Sequence, residues 1–129
     1  MRRYFMLIFG LLVFGLFSCK KEKENPLSQH DVFSVAGPAT GAVNTAVTLT
    51  VTYRYMNGCD YIGSFEESRS GNTVTVKAYA KPVGKEVVCT QDTGFRTIAY
   101  QFSSATSGTF SLRFMKPDGT SVDHTVTIQ

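Results

Sequence analysis

The chain lacks the residue clusters on which most catalysis depends. Its 129 residues contain no H-x-x-x-H or C-x-x-C pair and no Asp-rich calcium loop, so a metal site has no basis in the sequence. Its glycines stand singly at turn positions, which excludes a glycine-rich phosphate loop, and Ser64, Ser68 and Ser70 lack the G-x-S-x-G context of a nucleophile elbow. Surplus charge is missing as well. Residues 31 to 129 hold eight basic and eight acidic side chains, and the formal charge of +3 arises before them. A basic patch made by excess charge is thereby excluded, and a nucleic-acid partner with it. From Asp31 onward no ten-residue stretch has helical apolar spacing, and no internal repeat or low-complexity tract occurs. The length fits one domain and excludes a large multidomain enzyme.

What is present begins with a targeting segment. Arg2 and Arg3 precede an apolar run from Tyr4 to Phe17 that is interrupted by Gly10 and Gly15 and is shorter than the roughly 20 residues a membrane span requires. The run ends in Leu16, Phe17, Ser18 and Cys19, which resembles the bacterial lipobox. The resemblance implies cleavage after residue 18, a diacylglycerol on the Cys19 thiol and a further acyl chain, palmitate, on the new amine. Two or three chains at about 0.8 kcal/mol per buried CH₂ make such an anchor effectively permanent. Residues 20 to 26, KKEKENP, have no apolar period and read as a solvated linker. They resemble the export signals of Bacteroidota lipoproteins, which implies the outer membrane and its outer face; a plain charged spacer is the other reading. The expected organisation is a signal peptide over 1–18, a lipidated Cys19 and linker over 19–30, and a folded domain over 31–129.

That domain reads as all-β. Val47, Leu49, Val51, Tyr53 and Tyr55 alternate with Thr48, Thr50, Thr52 and Arg54, so one face is apolar and the other polar. The same alternation recurs through Val74–Ala78, Ile98–Phe102, Phe110–Phe114 and Val122–Ile128, and strands are expected near Val32–Val35 and Tyr61–Phe65. Turn residues separate them, most clearly Lys116-Pro117-Asp118-Gly119. About seven short strands predict an antiparallel β-sandwich of immunoglobulin-like kind. The closing segment GTFSLRFMKPDGTSVDHTVTIQ resembles the last hairpin of bacterial immunoglobulin-like domains, although the buried Trp of antibody domains is absent.

With Cys19 assigned to lipid, Cys59 and Cys89 remain as a pair in an exported chain, for which a disulfide is expected. Closing that loop of about 30 residues contributes roughly 3–4 kcal/mol in the chain-entropy view. Following the strands up and down places both cysteines, and the Asp118 turn, in loops at one end of the sandwich. His124 falls on an inward register and is expected to be packed and hydrogen-bonded, while His30 sits at the end of the linker. Glu66 and Glu67 are neighbours on a strand and point to opposite faces, which suits no carboxylate pair. No enzyme and no cofactor are expected, and the chain is expected to be a monomer. Its partners are expected to be the membrane, through the lipid, and a protein or glycan. The candidate binding residues are Tyr61, Phe65, Glu66, Arg69, Lys85 and Phe95, on loops that a rigid scaffold holds. For Tyr61 and Phe65 the inward face of a strand is the competing reading, and for Arg69 and Lys85 a solvated surface. A spacer without a ligand, or a protease inhibitor presenting Val83 to Thr93, are the other readings of the whole.

Overall fold

The computed structural model describes residues 28–129, so the expectations for the signal peptide, Cys19 and most of the linker lie outside the described residues. Eight strands form: β1 Val32–Ala36, β2 Thr40–Gly41, β3 Val47–Tyr55, β4 Ile62–Ser70, β5 Thr73–Ala80, β6 Gly94–Phe102, β7 Gly108–Met115 and β8 Ser121–Ile128. Two sheets face each other, one ordered β1-β3-β6 and the other β2-β8-β7-β5-β4. The all-β sandwich expected from alternation is what the chain adopts, with one strand more and two parallel pairings, β2 with β8 and β5 with β7. The extra strand is the two-residue β2. It forms because the chain leaves the small sheet at Gly37, where φ is 154° and a Cβ would lie 2.7 Å from Leu49 Cδ2, and then joins the other sheet. The β5–β7 pairing is parallel because the intervening strand, β6, passes through the opposite sheet.

The alternation places the core. Leu49, Val51 and Tyr53 of β3 and Phe102 of β6 meet Val74 and Val76 of β5, Leu112 and Phe114 of β7, and Val126 and Ile128 of β8, all buried. Each of these side chains stabilises the fold by about 1.5–3 kcal/mol through the apolar area it removes from water. The aromatic rings interlock between sheets: Tyr100 meets Phe114 and Phe65 edge-on, each at 5.2 Å, and Phe102 meets Phe110 at 5.3 Å.

One segment departs from expectation. His30, assigned to the linker, is only 5% exposed, and its amide donates to Ala78 O at 2.8 Å while Ala80 N donates to Ser28 O. The described residues thus start on β5 before β1 joins β3. His30 stacks edge-on to Tyr53 at 4.9 Å, filling the end of the core.

Candidate functional site

The strand directions bring the β3–β4 loop, the β5–β6 connection, the β7–β8 turn and the entry of the chain at Ser28 to one end. Cys59 and Cys89 are joined there in a disulfide with a Cα separation of 5.4 Å, as their positions in two loops of one end predict. A backbone bond from Gly58 N to Thr90 O at 2.8 Å runs beside it. Within the β3–β4 loop Asn57 Oδ1 accepts from Cys59 N, and Asp60 Oδ2 accepts from Met56 N at 2.9 Å. The other carboxylate oxygen of Asp60 lies 2.9 Å from His30 Nε2 without forming a hydrogen bond, which leaves that buried nitrogen without a partner.

Arg96 is the centre of the arrangement. It stands on β6 in the same row as the inward-facing Ile98, Tyr100 and Phe102, one turn of the pleat beyond the apolar set. Its guanidinium lies between two rings, 3.9 Å from the centroid of Tyr55 and 4.0 Å from that of Tyr61. From there it donates to Asp60 O at 2.6 Å and to Gly58 O at 3.2 Å. The planar fork thus satisfies two loop carbonyls while the rings shield its faces. Tyr55 in turn donates to Asp92 Oδ2, and Thr90 donates to Asp92 Oδ1. The Thr90 hydroxyl, more than any other neighbour, holds the Asp92 carboxyl below its ordinary pKa range.

Apolar surface collects at this end. Of the eight large hydrophobic residues that are exposed among the described residues, seven lie here: Phe33, Met56, Tyr61, Val83, Val87, Val88 and Phe95, with Val43 alone at the opposite end. Val88 is 95% exposed, and Phe33 and Phe95 lean on each other at 4.7 Å on the outer side of the small sheet. Between the entering chain and the β3–β4 loop lies an open cleft of about 450 Å³, lined by His30, Asp31, Arg54, Met56, Asn57 and Asp60 among others.

The sequence candidates divide. Tyr61, Lys85 and Phe95 share the stapled end and are exposed. Phe65 is half-buried against Tyr100, and Glu66 faces solvent on β4 in register with Lys77. Arg69 is far away, donating to Ser103 O at 2.9 Å and to Glu67 at 2.6 Å and lying over the Phe102 ring. Tyr61 and Phe65 do not form one inward row. A bulge between Ile62 and Ser64 shifts the phase, so Ile62 is buried and Tyr61 is turned out. Gly63 permits the bulge, since a Cβ there would lie 2.8 Å from the backbone of Lys81. His124 reaches Pro38 O at 3.1 Å, the hydrogen bond expected of it, with Nε2 donating. Arg96, Asp60 and Phe33 went unread, and His30 was read only as the end of the linker. For Arg96 a signal exists, a charge continuing an apolar row; for His30 and Asp60 none does, because they meet only through the fold.

Among the described residues no three His, Cys, Asp or Glu side chains gather as a metal site would need. What this end offers is contact: rings, exposed valines and a polar cleft on a covalently held frame.

The family model of the ORF11 beta-sandwich domain matches residues 49–128, from within β3 through β8, including both cysteines and Arg96. No curated protein and no solved structure matches the chain. The chain belongs to the ORF11 beta-sandwich domain family.

Proposed function

We propose that this ORF11-family sandwich is the folded part of a Bacteroidota-type lipoprotein, acylated at Cys19, held at the outer membrane and acting without catalysis as a binding or accessory module. The lipobox at Leu16–Cys19 supports the anchor, and a disulfide between Cys59 and Cys89 agrees with an oxidising compartment. The observation that carries the binding role is the gathering of seven exposed apolar side chains on the stapled end. Isolated apolar residues are normal on a protein surface, but a one-ended collection marks a surface that something covers. A spacer without a ligand has no use for it. The β-sandwich alone says nothing of the ligand, since one fold carries many functions.

The test has two parts. Mass spectrometry of the mature protein is expected to find a diacylglycerol-modified Cys19 at the N-terminus, and a chain retaining residues 1–18 rejects the anchor. A photo-crosslinking residue at Tyr61 or Phe95 is expected to give adducts in the intact envelope, with none from the same residue at Glu66. Equal labelling at all three positions rejects the stapled end as the contact surface.

A further inference from the structure

We infer that the stapled end docks on the lipid surface that holds the anchor, with the β5–β6 connection and the Phe33–Phe95 pair seated in the bilayer interface. The inference rests on the lipoprotein reading and names the partner of the surface described there.

Three observations converge. The first is where the chain enters. Ser28 is paired to the end of β5, so the tether reaches the domain at the end that displays the apolar residues. The second is length. Eight residues separate Cys19 from Ser28, and these nine steps along the chain span roughly 30 Å even when fully extended, so this end cannot leave the neighbourhood of the headgroups. A surface confined within such a distance meets lipid at a high effective concentration, and a weak intrinsic affinity then suffices for contact. The third is composition. Val88 is 95% exposed on a connection without regular structure, with the exposed Val87 beside it, Tyr61 is an amphipathic ring, and Lys81 and Lys85 precede the valines. Apolar tips with an aromatic and lysines behind them suit the layer between headgroups and acyl chains, where aromatic rings sit and lysine stems reach outward to phosphate.

The charges at this end cancel: Arg54, Lys81, Lys85, Arg96 and Lys116 are offset by Asp31, Asp60, Glu86, Asp92 and Asp118. Attraction to anionic lipid is therefore not the driving term, and contact by apolar insertion is expected to persist at high salt. The held geometry helps. The disulfide and the Arg96 clamp fix the bases of both loops, so insertion of their tips costs little ordering of the chain.

The absence of tryptophan makes the test free of background. The lipidated full-length chain would be prepared with one tryptophan, Val88→Trp or Val43→Trp, and reconstituted into phosphatidylcholine vesicles with or without lipid brominated near the top of the acyl chain. Both positions are exposed, so neither substitution strains the core. Immersion of the tip by the 5–10 Å typical of interfacial segments predicts a blue-shifted emission and about twofold quenching for Val88→Trp, little changed in high salt, with Val43→Trp unaffected. A Val88→Trp signal that brominated lipid does not quench, on a protein shown by mass to carry lipid at Cys19, overturns the lipid proposal and leaves the binding reading standing. Blue-shifted but unquenched emission that disappears on dilution among vesicles overturns it in favour of a second copy. Equal quenching at both positions overturns it by showing no preferred end. An unmodified Cys19 overturns the proposal and the lipoprotein reading together.

Discussion

The two ends of the sandwich are finished in different ways. At the end away from the disulfide the turns are short and tied to their neighbours: Ser111 N of β7 donates to Asn72 O, Asn44 N donates to Ser104 O of the β6–β7 loop, and the Ser104 hydroxyl bonds Thr106 within that loop. Arg69 lies over Phe102 and donates to Ser103 O, covering the last core ring with its own stem. Among the described residues Val43 alone is an exposed large hydrophobic residue there. At the other end an arginine also caps the core, but Arg96 holds carbonyls of a loop that leads outward, and the loops beyond it display apolar side chains. One arginine completes a surface and the other supports one. The difference teaches that the cross-links at the stapled end hold loops that carry exposed apolar side chains, whereas the opposite end is closed over its core.

That comparison can be broken by substitution. The largest effect is expected from the double change Cys59→Ser and Cys89→Ser, which removes about 3–4 kcal/mol of stability in the chain-entropy view, read by urea denaturation. Hydrogen exchange in the same variant is expected to rise across residues 56–61 and 81–93 and to stay unchanged at the Gly71–Asn72 turn. Uniform acceleration at both ends would remove the distinction. Next comes Arg96→Ala, expected to cost about 2–3 kcal/mol from two charge-assisted hydrogen bonds and two ring contacts, with Arg96→Lys recovering only part because a point charge cannot fork. A smaller effect is expected for Tyr100→Phe, about 1 kcal/mol, since its hydroxyl donates to Glu67 across the open side of the sandwich.

Tyr100 also predicts a pH response. Burial first, then the bond to Glu67, pushes its phenol well above the ordinary value of 10.0. The unfolded chain then ionises at lower pH than the folded one, so this contribution to stability is complete below about pH 10 and is lost as pH rises towards the folded value. Equilibrium unfolding between pH 8 and 11 is expected to show that loss in the native protein and less of it in Tyr100→Phe. The smallest expected change in stability is for Val88→Ser, within about 0.5 kcal/mol, because nothing in the fold rests on that side chain; its effect should appear only in contact with a partner.

Much of the sandwich was legible because alternation reports which face of a strand is buried. Val47–Tyr55 and Phe110–Phe114 needed nothing more, and the Lys116–Gly119 turn announced its hairpin by proline and glycine placement. Alternation does not report the neighbour, so the parallel β5–β7 pairing and the two-residue β2 could not be read from it. The bulge at Gly63 was hidden for a related reason. Period two has no memory of phase across an inserted residue, so the competing reading of Tyr61 and Phe65 as one inward row fails at the bulge that separates them. Within the candidate site the cysteine pair was legible by count and by the likeness of Leu16–Cys19 to a lipobox, whereas the Arg96 clamp depends on two tyrosines, one on β3 and one in the β3–β4 loop. Glu67 and Arg69 show a further case: charges pointing inward from an outer strand look like errors of pattern until their partners on β6, Tyr100 and Phe102, are in place. Such inward charges also discourage another chain from pairing with that open edge.

The attachment of Ser28 and His30 has a mechanical meaning. Ser28 and His30 hydrogen-bond to β5 in one sheet, and β1 then pairs with β3 in the other, so the entering chain stitches the two layers together. The last strand leaves at the opposite end, at Ile128. Tension applied between a tether at Ser28 and a load at the far end would run along the strands and strain the bonds of β1 together instead of unzipping them one by one. A domain fastened in this manner bears drag or pulling through its strands before any one of them is peeled away.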